Sequence, residues 1–387
     1  MIIIIAPYSP VGRSRNPHLG AARKIEAIID ILGQLGMPLI LVNTAHESEV
    51  AAPTAKANSC IGGTSLTEIT PPTYSNRRKG KFLNLFDAAK VADDVLVMGR
   101  PMLVWLYNGY AMESRLGVEL HRRSGCHIIQ EMEDWHFSRG RGLNPKPFVD
   151  WWFWRKASSV ATHIFSVNDA LGDRSRHLNS NVSLFPGIVS ADITALRTSH
   201  PPFSSNDDVI TIGYFGGLSE EKGAHHALSL CDTLPAQYRF IVTGAGPLEG
   251  AFNTAAIGSN GRLQFYGRVN DETLVKLIGR CDVLLNPHSP IAHMANGVFP
   301  FKVIEAVASG RMLISTPLPG EGLENVLQGV CFAGHDVSQL REALLAAHDW
   351  FLAHKTKVNA GAIAAVDRFG KANILRVVRK ILAKHGT

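Results

Sequence analysis

Two segments in the second half of the chain place lysine beside glycine in a pattern that suits phosphate binding. Residues 216–223 contain a double glycine and Lys222, and residues 296–310 contain Lys302 and Glu305. Glycine lets backbone N–H groups approach an anion, and a lysine adds positive charge. Lys302 and Glu305 are three residues apart, so on a helix they share one face, where the carboxylate can accept hydrogen bonds from paired ribose hydroxyls. The two segments predict binding of a sugar nucleotide or a similar diphosphate.

Plainer interpretations of the second half stay open beside this one. Lys302 and Glu305 also suit the solvent face of an amphipathic helix. The GxGxxxG pattern at residues 244–250 departs from the dinucleotide spacing and lacks an acidic residue about 20 positions later, so it predicts a turn. Three histidines lack metal-ligand spacing and are predicted to be structural or surface side chains: His225, His226 and His288.

In the first half, carboxylates and a histidine follow a predicted strand at residues 126–131. Glu133, Asp134 and His136 lie within four positions of one another. Such groups at the end of a strand can position or deprotonate an acceptor hydroxyl, so we predict a catalytic role for them. A solvated acidic turn is the alternative.

Polar residues also follow the first predicted strand. Arg15, Asn16 and Gly20 belong to a long loop between that strand and the next helix. Ligands of open α/β sheets lie at the carboxyl ends of strands, which makes these three residues candidates for acceptor binding. A solvated loop is the alternative interpretation.

Two further segments of the first half are rich in basic or aromatic residues. Residues 70–81 contain two prolines and a basic cluster, which predicts a mobile loop that contacts phosphate or lipid headgroups. Residues 148–156 combine aromatic and basic side chains and suit either a membrane interface or core packing.

The elements that must position these residues alternate between strand and helix. Apolar runs predict strands at 2–6, 38–43, 95–99, 126–131, 162–167 and 181–187, and then at 209–215, 239–243, 263–269, 281–286 and 311–315. Helical spacing appears at 21–35, 224–234, 300–310 and from 337 to the end. Strands that alternate with helices indicate an α/β fold with parallel sheets. The proline- and serine-rich residues 198–208 predict a linker between two domains.

Composition places the chain among globular proteins. Its length of 387 residues is enough for two domains. With 45% hydrophobic and 19% charged residues and a net charge of +6, its composition differs from that of a disordered protein. Residues 1–200 hold 22 Lys and Arg against 17 Asp and Glu, whereas the rest holds 17 against 16. An anionic membrane surface or phosphorylated acceptor would therefore meet the first half, although ordinary surface charge also explains the surplus. Five scattered cysteines predict reduced thiols in a cytoplasmic protein, and the apolar start predicts a buried strand, not a signal peptide.

Several motifs, taken in order, give the second half a family resemblance. They are GYFGGLSEEKG at 213–223, VTGAGP at 242–247, FYGRVND at 265–271, CDVLLNP at 281–287 and FPFKVIEAVASG at 299–310. Together they resemble the donor domain of the retaining glycosyltransferase family four, which has two Rossmann-like doubly wound domains that face each other across a cleft, the GT-B architecture. The first half resembles that family only in outline, through short motifs at 166–168 and 185–187.

The resemblance implies roles for individual residues. Lys222 would bind the donor diphosphate and Glu305 the ribose, while Arg268 and Val269 would flank the base. The remaining donor-binding residues would be Gly216, Gly217, Gly297, Val298, Phe299 and Lys302. Relatives commonly have a glutamate where this chain has Gly297 and an arginine where it has Gly217, so the group that contacts the donor sugar is not identified by the motif.

Domain boundaries follow from the resemblance and the linker together. We expect an acceptor-binding domain at residues 1–197, onto which a C-terminal helix at about 368–387 packs back, and a donor-binding domain at residues 209–367. The expected activity is transfer of a hexose from UDP- or GDP-sugar to a saccharide or lipid-linked acceptor, with retained configuration, in cell-envelope or exopolysaccharide synthesis. Lys222 would also serve catalysis by stabilising the leaving diphosphate, so neither a metal nor another cofactor is expected. A nucleotide-sugar epimerase of the same architecture and a noncatalytic nucleotide-sugar-binding protein remain the alternatives.

Overall fold

The computed structural model describes residues 1–10, 19–45, 51–74, 77–135, 137, 145–204, 209–290 and 299–383, without the side chains of residues 19 and 77–82. The described residues divide into two compact units. The first runs from Met1 to Ile188 and includes the C-terminal helix from Lys371, and the second lies between Val189 and Gly370. The predicted domain boundary, at residue 197, thus lies inside the second unit.

In the first unit, the described residues form a sheet of eight strands with the order β3-β4-β2-β1-β5-β6-β7-β8. All neighbouring strands in it pair in parallel except β3 and β4, which form an antiparallel hairpin at the edge. The strands are β1 (Ile2–Ala6), β2 (Leu39–Asn43), β3 (Ala55–Ile61), β4 (Thr64–Thr70), β5 (Leu103–Tyr107), β6 (His127–Met132), β7 (His163–Ser166) and β8 (Val182–Leu184). Every residue of β1, β5 and β6 is buried, as expected of parallel strands covered on both faces.

Helices connect these strands. They are α1 (Leu19–Gly33), α2 (Arg77–Leu96), α3 (Ala111–Ser124), α4 (Lys146–Val160) and α5 (Asp169–Arg176). The C-terminal helix α14 (Lys371–Ala383) has apolar side chains at helical spacing and buries four of them in the core of this unit, namely Ile374, Leu375, Val378 and Ile381. Lys371 Nζ also lies 2.7 Å from Asp30 Oδ2 of α1.

In the second unit, six strands among the described residues have the order β11-β10-β9-β12-β13-β14, all parallel. The strands are β9 (Ile210–Phe215), β10 (Tyr238–Thr243), β11 (Leu263–Phe265), β12 (Val283–Asn286), β13 (Met312–Ser315) and β14 (Val330–Phe332). The helices are α6 (Ala191–Ser199), α7 (Ala224–Thr233), α8 (Glu249–Gly258), α9 (Asp271–Gly279), α10 (Lys302–Ala308), α11 (Glu324–Leu327), α12 (Val337–Leu345) and α13 (Ala347–Phe369). This is the doubly wound strand order of a Rossmann fold, in which ligands bind where the order reverses, here between β9 and β12.

The predicted α/β fold with two Rossmann-like units is confirmed, but two local predictions in the first half were wrong. Residues 95–99 are not a strand: α2 ends at Leu96, and its buried side chains Ala88, Val91, Ala92 and Val95 follow helical spacing. The basic cluster is not in a loop, because α2 begins at Arg77. Among the described residues, no helix is both long enough and apolar enough to cross a membrane.

Candidate functional site

The loop between β9 and α7 packs directly against the loop that follows β12. Gly223 has a φ of +71°, and a Cβ atom there would stand 1.6 Å from the Pro287 carbonyl oxygen. Ser289 ties the loops together, because its backbone N–H donates to Glu221 O at 3.2 Å and its Oγ donates to Glu220 O at 2.8 Å. Glycine at 223 is therefore needed for this close contact. The contact fixes Lys222 at the point where the strand order reverses.

The glycines after β10 serve the packing of neighbouring loops. Gly244 and Gly246 have φ values of +141° and +157°, and a Cβ atom at Gly244 would lie 1.8 Å from Gly216 O. The Gly244 N–H donates to Gly267 O at 2.8 Å, which joins the loops after β10 and β11. These contacts support the interpretation of this motif as a turn. They also place the loops after β9, β10 and β11 side by side at the carboxyl edge of the sheet.

Lys302, in the first turn of α10, directs its ammonium group into this edge. Its Nζ is 4.7 Å from the centre of the Tyr214 ring, and a Cβ at Gly216 would lie 3.6 Å from it. The residue as a whole is partly exposed, but Nζ is shielded from solvent and has no hydrogen-bond partner among the described residues. Burial, and then the nearby charge of Lys222, lower the pKa of Lys302 to about 7. An anion bound here would give this ammonium group the counter-charge that it lacks.

His288, for which the sequence predicts a structural or surface role, is buried near Lys222 and Lys302. Burial, then Lys222, then Lys302 lower the pKa of His288 to about 4. Its Nδ1 lies 3.4 Å from Ser289 O, and because a carbonyl oxygen only accepts, Nδ1 carries the proton. Nε2 then holds a lone pair, buried and without a partner among the described residues. A neutral acceptor therefore stands beside the two lysines.

The other donor-binding candidates of the second unit occupy the same edge or lie nearby. Lys222 is about one-third exposed, and its Nζ is 3.5 Å from Glu221 Oε1. Below it, the Tyr214 hydroxyl lies 2.8 Å from Gly217 O and 3.1 Å from Lys222 O, which holds the loop against β9. Glu305 lies on α10, one turn after Lys302. Arg268 and Val269 follow β11, where Arg268 is exposed and Val269 is half-buried. Phe299, which precedes α10, is buried. Gly297 and Val298 lie outside the described residues.

In the first unit, a lysine lies between two carboxylates at the end of β6. Lys24 Nζ is 2.6 Å from Glu131 Oε1, forms a second ion pair with Glu133, and donates to Phe185 O at 3.2 Å. Burial, opposed by Lys24 and reinforced by Glu131, raises the pKa of Glu133 above its usual range. Trp105 Nε1 donates to the other oxygen of Glu131 at 2.9 Å. Glu133 is thus a carboxyl group that can hold or release a proton closer to neutral pH than an ordinary glutamate.

Asn108 orients the segment that carries this carboxyl. Its Oδ1 accepts the backbone N–H groups of Glu133 and Asp134, each at 3.1 Å. Asn108 has a φ of +62°, a left-handed conformation that asparagine tolerates better than most residues. Gly20 lies in the first turn of α1, not in a loop, and is exposed. The other three candidates of this half, Arg15, Asn16 and His136, lie outside the described residues.

Sequence and structure comparisons bear on both units. Residues 209–349, which run from β9 through α12, match the family described as "Glycosyl transferases group 1". No curated protein sequence matches the chain. The family match identifies residues 209–349 as similar to the group 1 glycosyltransferase domain.

Solved structures share the architecture over the whole chain. HepE of Anabaena, crystallised with UDP, is 14% identical, with 99% of each chain covered and a TM-score of 0.65. Sucrose-phosphate synthase of Thermosynechococcus elongatus is also 14% identical, covers 99% of this chain and 100% of its own, and has a TM-score of 0.65. The trehalose 6-phosphate synthase of Burkholderia multivorans is 13% identical, with 99% and 96% covered and a TM-score of 0.63. At these identities the likeness establishes the GT-B fold.

Proposed function

We propose that this protein transfers a hexose from a nucleoside diphosphate sugar to a hydroxyl group of a saccharide or lipid-linked saccharide, with retained anomeric configuration. The observation that carries the proposal is the buried ammonium group of Lys302, which has no counter-ion among the described residues and stands beside Lys222 at the reversal of the strand order. A diphosphate supplies two adjacent negative charges, the complement of two adjacent lysines.

Transfer of the sugar leaves a nucleoside diphosphate whose negative charge grows as the glycosidic bond breaks. Lys222, and Lys302 once it is protonated, would lie where that charge develops, so they would stabilise the transition state more than the bound donor. His288 Nε2, a buried lone pair in the same group, would accept a hydrogen bond from a hydroxyl of the donor. In this scheme the protein's own cations take the part that a metal ion has in other transferases.

The nucleoside would extend from the lysines along the carboxyl edge of the second sheet. Glu305 would accept hydrogen bonds from the ribose hydroxyls, and Arg268 and Val269, in the loop after β11, would flank the base. Backbone groups around Gly297, Val298 and Phe299 would complete the diphosphate contacts. HepE of Anabaena has been crystallised with UDP-glucose, which makes UDP-sugars the first donors to test.

The acceptor would bind the first unit. Glu133, with its raised pKa, would accept a hydrogen bond or a proton from the acceptor hydroxyl, and Asp134 and His136 would help to position it. Arg15, Asn16 and Gly20 would provide further acceptor contacts. The basic surplus of residues 1–200 favours an acceptor that carries a diphosphate, such as a lipid-linked saccharide at the cytoplasmic face of a membrane. With such an acceptor, the proposed reaction would belong to cell-envelope or exopolysaccharide synthesis.

The test begins with a thermal-shift panel of UDP, GDP, ADP and their sugars, because a ligand that binds only the folded state raises the unfolding temperature. Transfer and nucleotide affinity are then measured in Lys222→Ala and Glu305→Ala, with Lys276→Ala, an exposed lysine of α9, as the matched control. We expect both site variants to lose affinity and transfer, and the control to retain them. Unchanged values in both site variants would refute the proposal. Sugar conversion that needs no acceptor would instead identify an epimerase.

A further inference from the structure

Helix α4 of the first unit presents an unusual surface. One stripe is buried and consists of Asp150, Trp154, Ala157 and Ser158. The opposite stripe, at spacings of three and four residues, carries two large aromatic side chains, Phe148 with 64% and Trp152 with 47% of their surface exposed. A helix that packs on a domain normally carries polar residues on its outer face, so this one departs from the ordinary pattern.

The packing of the inner stripe accounts for the buried aromatic residue but not for the exposed ones. Trp154 Nε1 lies 2.8 Å from the Met132 sulfur, and Ser158 Oγ donates to Gln130 Oε1 at 2.9 Å, which anchors α4 on β6. The Ala111 N–H donates to Asp150 Oδ1 at 3.1 Å, which anchors it on α3. Phe148 and Trp152 are therefore not needed to hold the helix in place.

The charges of α4 have a single sign on its outer face. Arg155 and Lys156 are exposed, with the Lys156 ammonium 5.0 Å from the centre of the Trp152 ring. The only carboxylate in α4 is that of Asp150, which is buried and paired with Lys146. Aromatic rings with adjacent cations suit the interface of an anionic bilayer, where rings enter the headgroup layer and cations meet phosphates.

The helix also stands at the edge of the sheet that carries the acceptor candidates. Lys146 Nζ is 5.3 Å from the Tyr110 ring, so the first turn of α4 lies beside the segment that follows β5. Asn108, in that same segment, accepts the N–H groups of Glu133 and Asp134. The N-terminal end of the outer face of α4, where Phe148 lies, is thus close to the carboxyl edge of the first sheet.

We propose that the outer face of α4, formed by Phe148, Trp152, Arg155 and Lys156, docks the first unit on an anionic lipid bilayer. The aromatic rings enter the headgroup layer, and the two cations pair with lipid phosphates. Docking brings the carboxyl edge of the first sheet to the membrane surface, where a lipid-linked acceptor would be presented. That last link rests on the function proposed above, whereas the docking surface itself does not.

The full-length protein is tested by co-sedimentation with phosphatidylcholine vesicles, with and without phosphatidylglycerol, at low and high salt. We expect binding to the phosphatidylglycerol vesicles and its weakening at high salt. Arg155→Gln with Lys156→Gln should weaken binding about 25-fold, at about fivefold for each charge. Phe148→Ser with Trp152→Ser should weaken it by about tenfold or more. The control is Ile257→Ser, which removes an 87% exposed side chain of the second unit and should leave binding unchanged.

Three results would overturn the proposal. They are failure of the wild-type protein to sediment with phosphatidylglycerol vesicles, equal binding to neutral vesicles, and wild-type binding by both double variants. Self-association that the aromatic variant abolishes, without vesicle binding, would show that a second copy of the chain covers α4. Nucleotide thermal shifts are measured in parallel. If they persist in the α4 variants, a failure of docking is distinguished from a failure of the proposed donor site.

Discussion

Donor binding should take up a proton, because Lys302 is held close to neutrality before the diphosphate arrives. Burial and the charge of Lys222 lower the pKa of Lys302 from 10.5 to about 7. That difference corresponds to a cost of up to about 5 kcal/mol for holding the proton in the free protein. A bound diphosphate offsets the cost, so the complex holds the proton at a pH where the free protein does not.

The size of the effect follows from linkage. At pH 7 about half of the free protein carries the proton on Lys302, and at pH 8 about one-tenth does, so binding at pH 8 takes up about 0.9 proton. Because only the protonated form matches the diphosphate, the dissociation constant should rise about fiftyfold between pH 7 and pH 9. A nucleoside diphosphate sugar has no phosphate that titrates in this range, and comparison with Lys302→Arg separates any titration of the base from that of the protein.

Isothermal titration calorimetry measures this effect directly. The sugar nucleotide with the largest thermal shift is titrated between pH 7 and pH 9, in pairs of buffers that differ in ionisation enthalpy, and the difference gives the number of protons taken up. Lys302→Arg keeps its charge throughout this range, so its affinity should be almost independent of pH. Lys302→Met should bind weakly at every pH.

A flat affinity profile in the wild-type protein, with no proton uptake at pH 8, would refute the reasoning. It would mean that Lys302 is either paired in the free protein or not in contact with the diphosphate. Parallel pH dependence in wild type and Lys302→Arg would assign the titration to another group.

Three further predictions concern single residues. Gly223→Ala should lower the free energy of unfolding by more than about 2 kcal/mol, because its Cβ would clash with a carbonyl oxygen. Gly250→Ala in α8 is the control, because a Cβ there meets nothing within 4 Å, and it should raise the free energy of unfolding by up to about 1 kcal/mol. Chemical denaturation measures both changes. Lys222→Met should weaken nucleotide binding about 10- to 100-fold in calorimetry, with Lys276→Met unchanged, if a charged hydrogen bond to phosphate is lost. The raised pKa of Glu133 contributes stability that is fully present below pH 4.5, the usual pKa of a glutamate, and is lost as the pH rises from there through the pKa in the folded protein. Glu133→Gln should therefore lose less stability than wild type over this pH range. Equal losses in the two proteins would contradict the assignment.

The sequence predicts well those parts of the fold where a local pattern decides the structure. The buried strands of both sheets appear as uninterrupted apolar runs, and Gly310, which has a φ of +71°, follows two residues after the end of α10 at Ala308. The hairpin of β3 and β4 could not be found this way, because β3 is mostly exposed and lacks an apolar alternation. The strand predicted at residues 95–99 was wrong because a short apolar run is compatible with both a strand and the end of a helix.

The same distinction, between local sequence patterns and contacts that only the fold creates, applies to the candidate site residues. Lys222, Lys302 and Glu305 could be singled out because glycine and charge lie close together in the sequence. His288 could not, since its low pKa arises from burial and from lysines that only the fold brings near. The pairing of Lys24 with Glu133 likewise joins residues that are 109 positions apart.

The most direct test of the central claim is a crystal structure of the complex with the nucleotide selected by the thermal-shift panel. We predict that the diphosphate lies within hydrogen-bond distance of both Lys222 Nζ and Lys302 Nζ, with the ribose against Glu305. A nucleotide that binds the first unit, or that leaves both lysines without a phosphate contact, would contradict the claim.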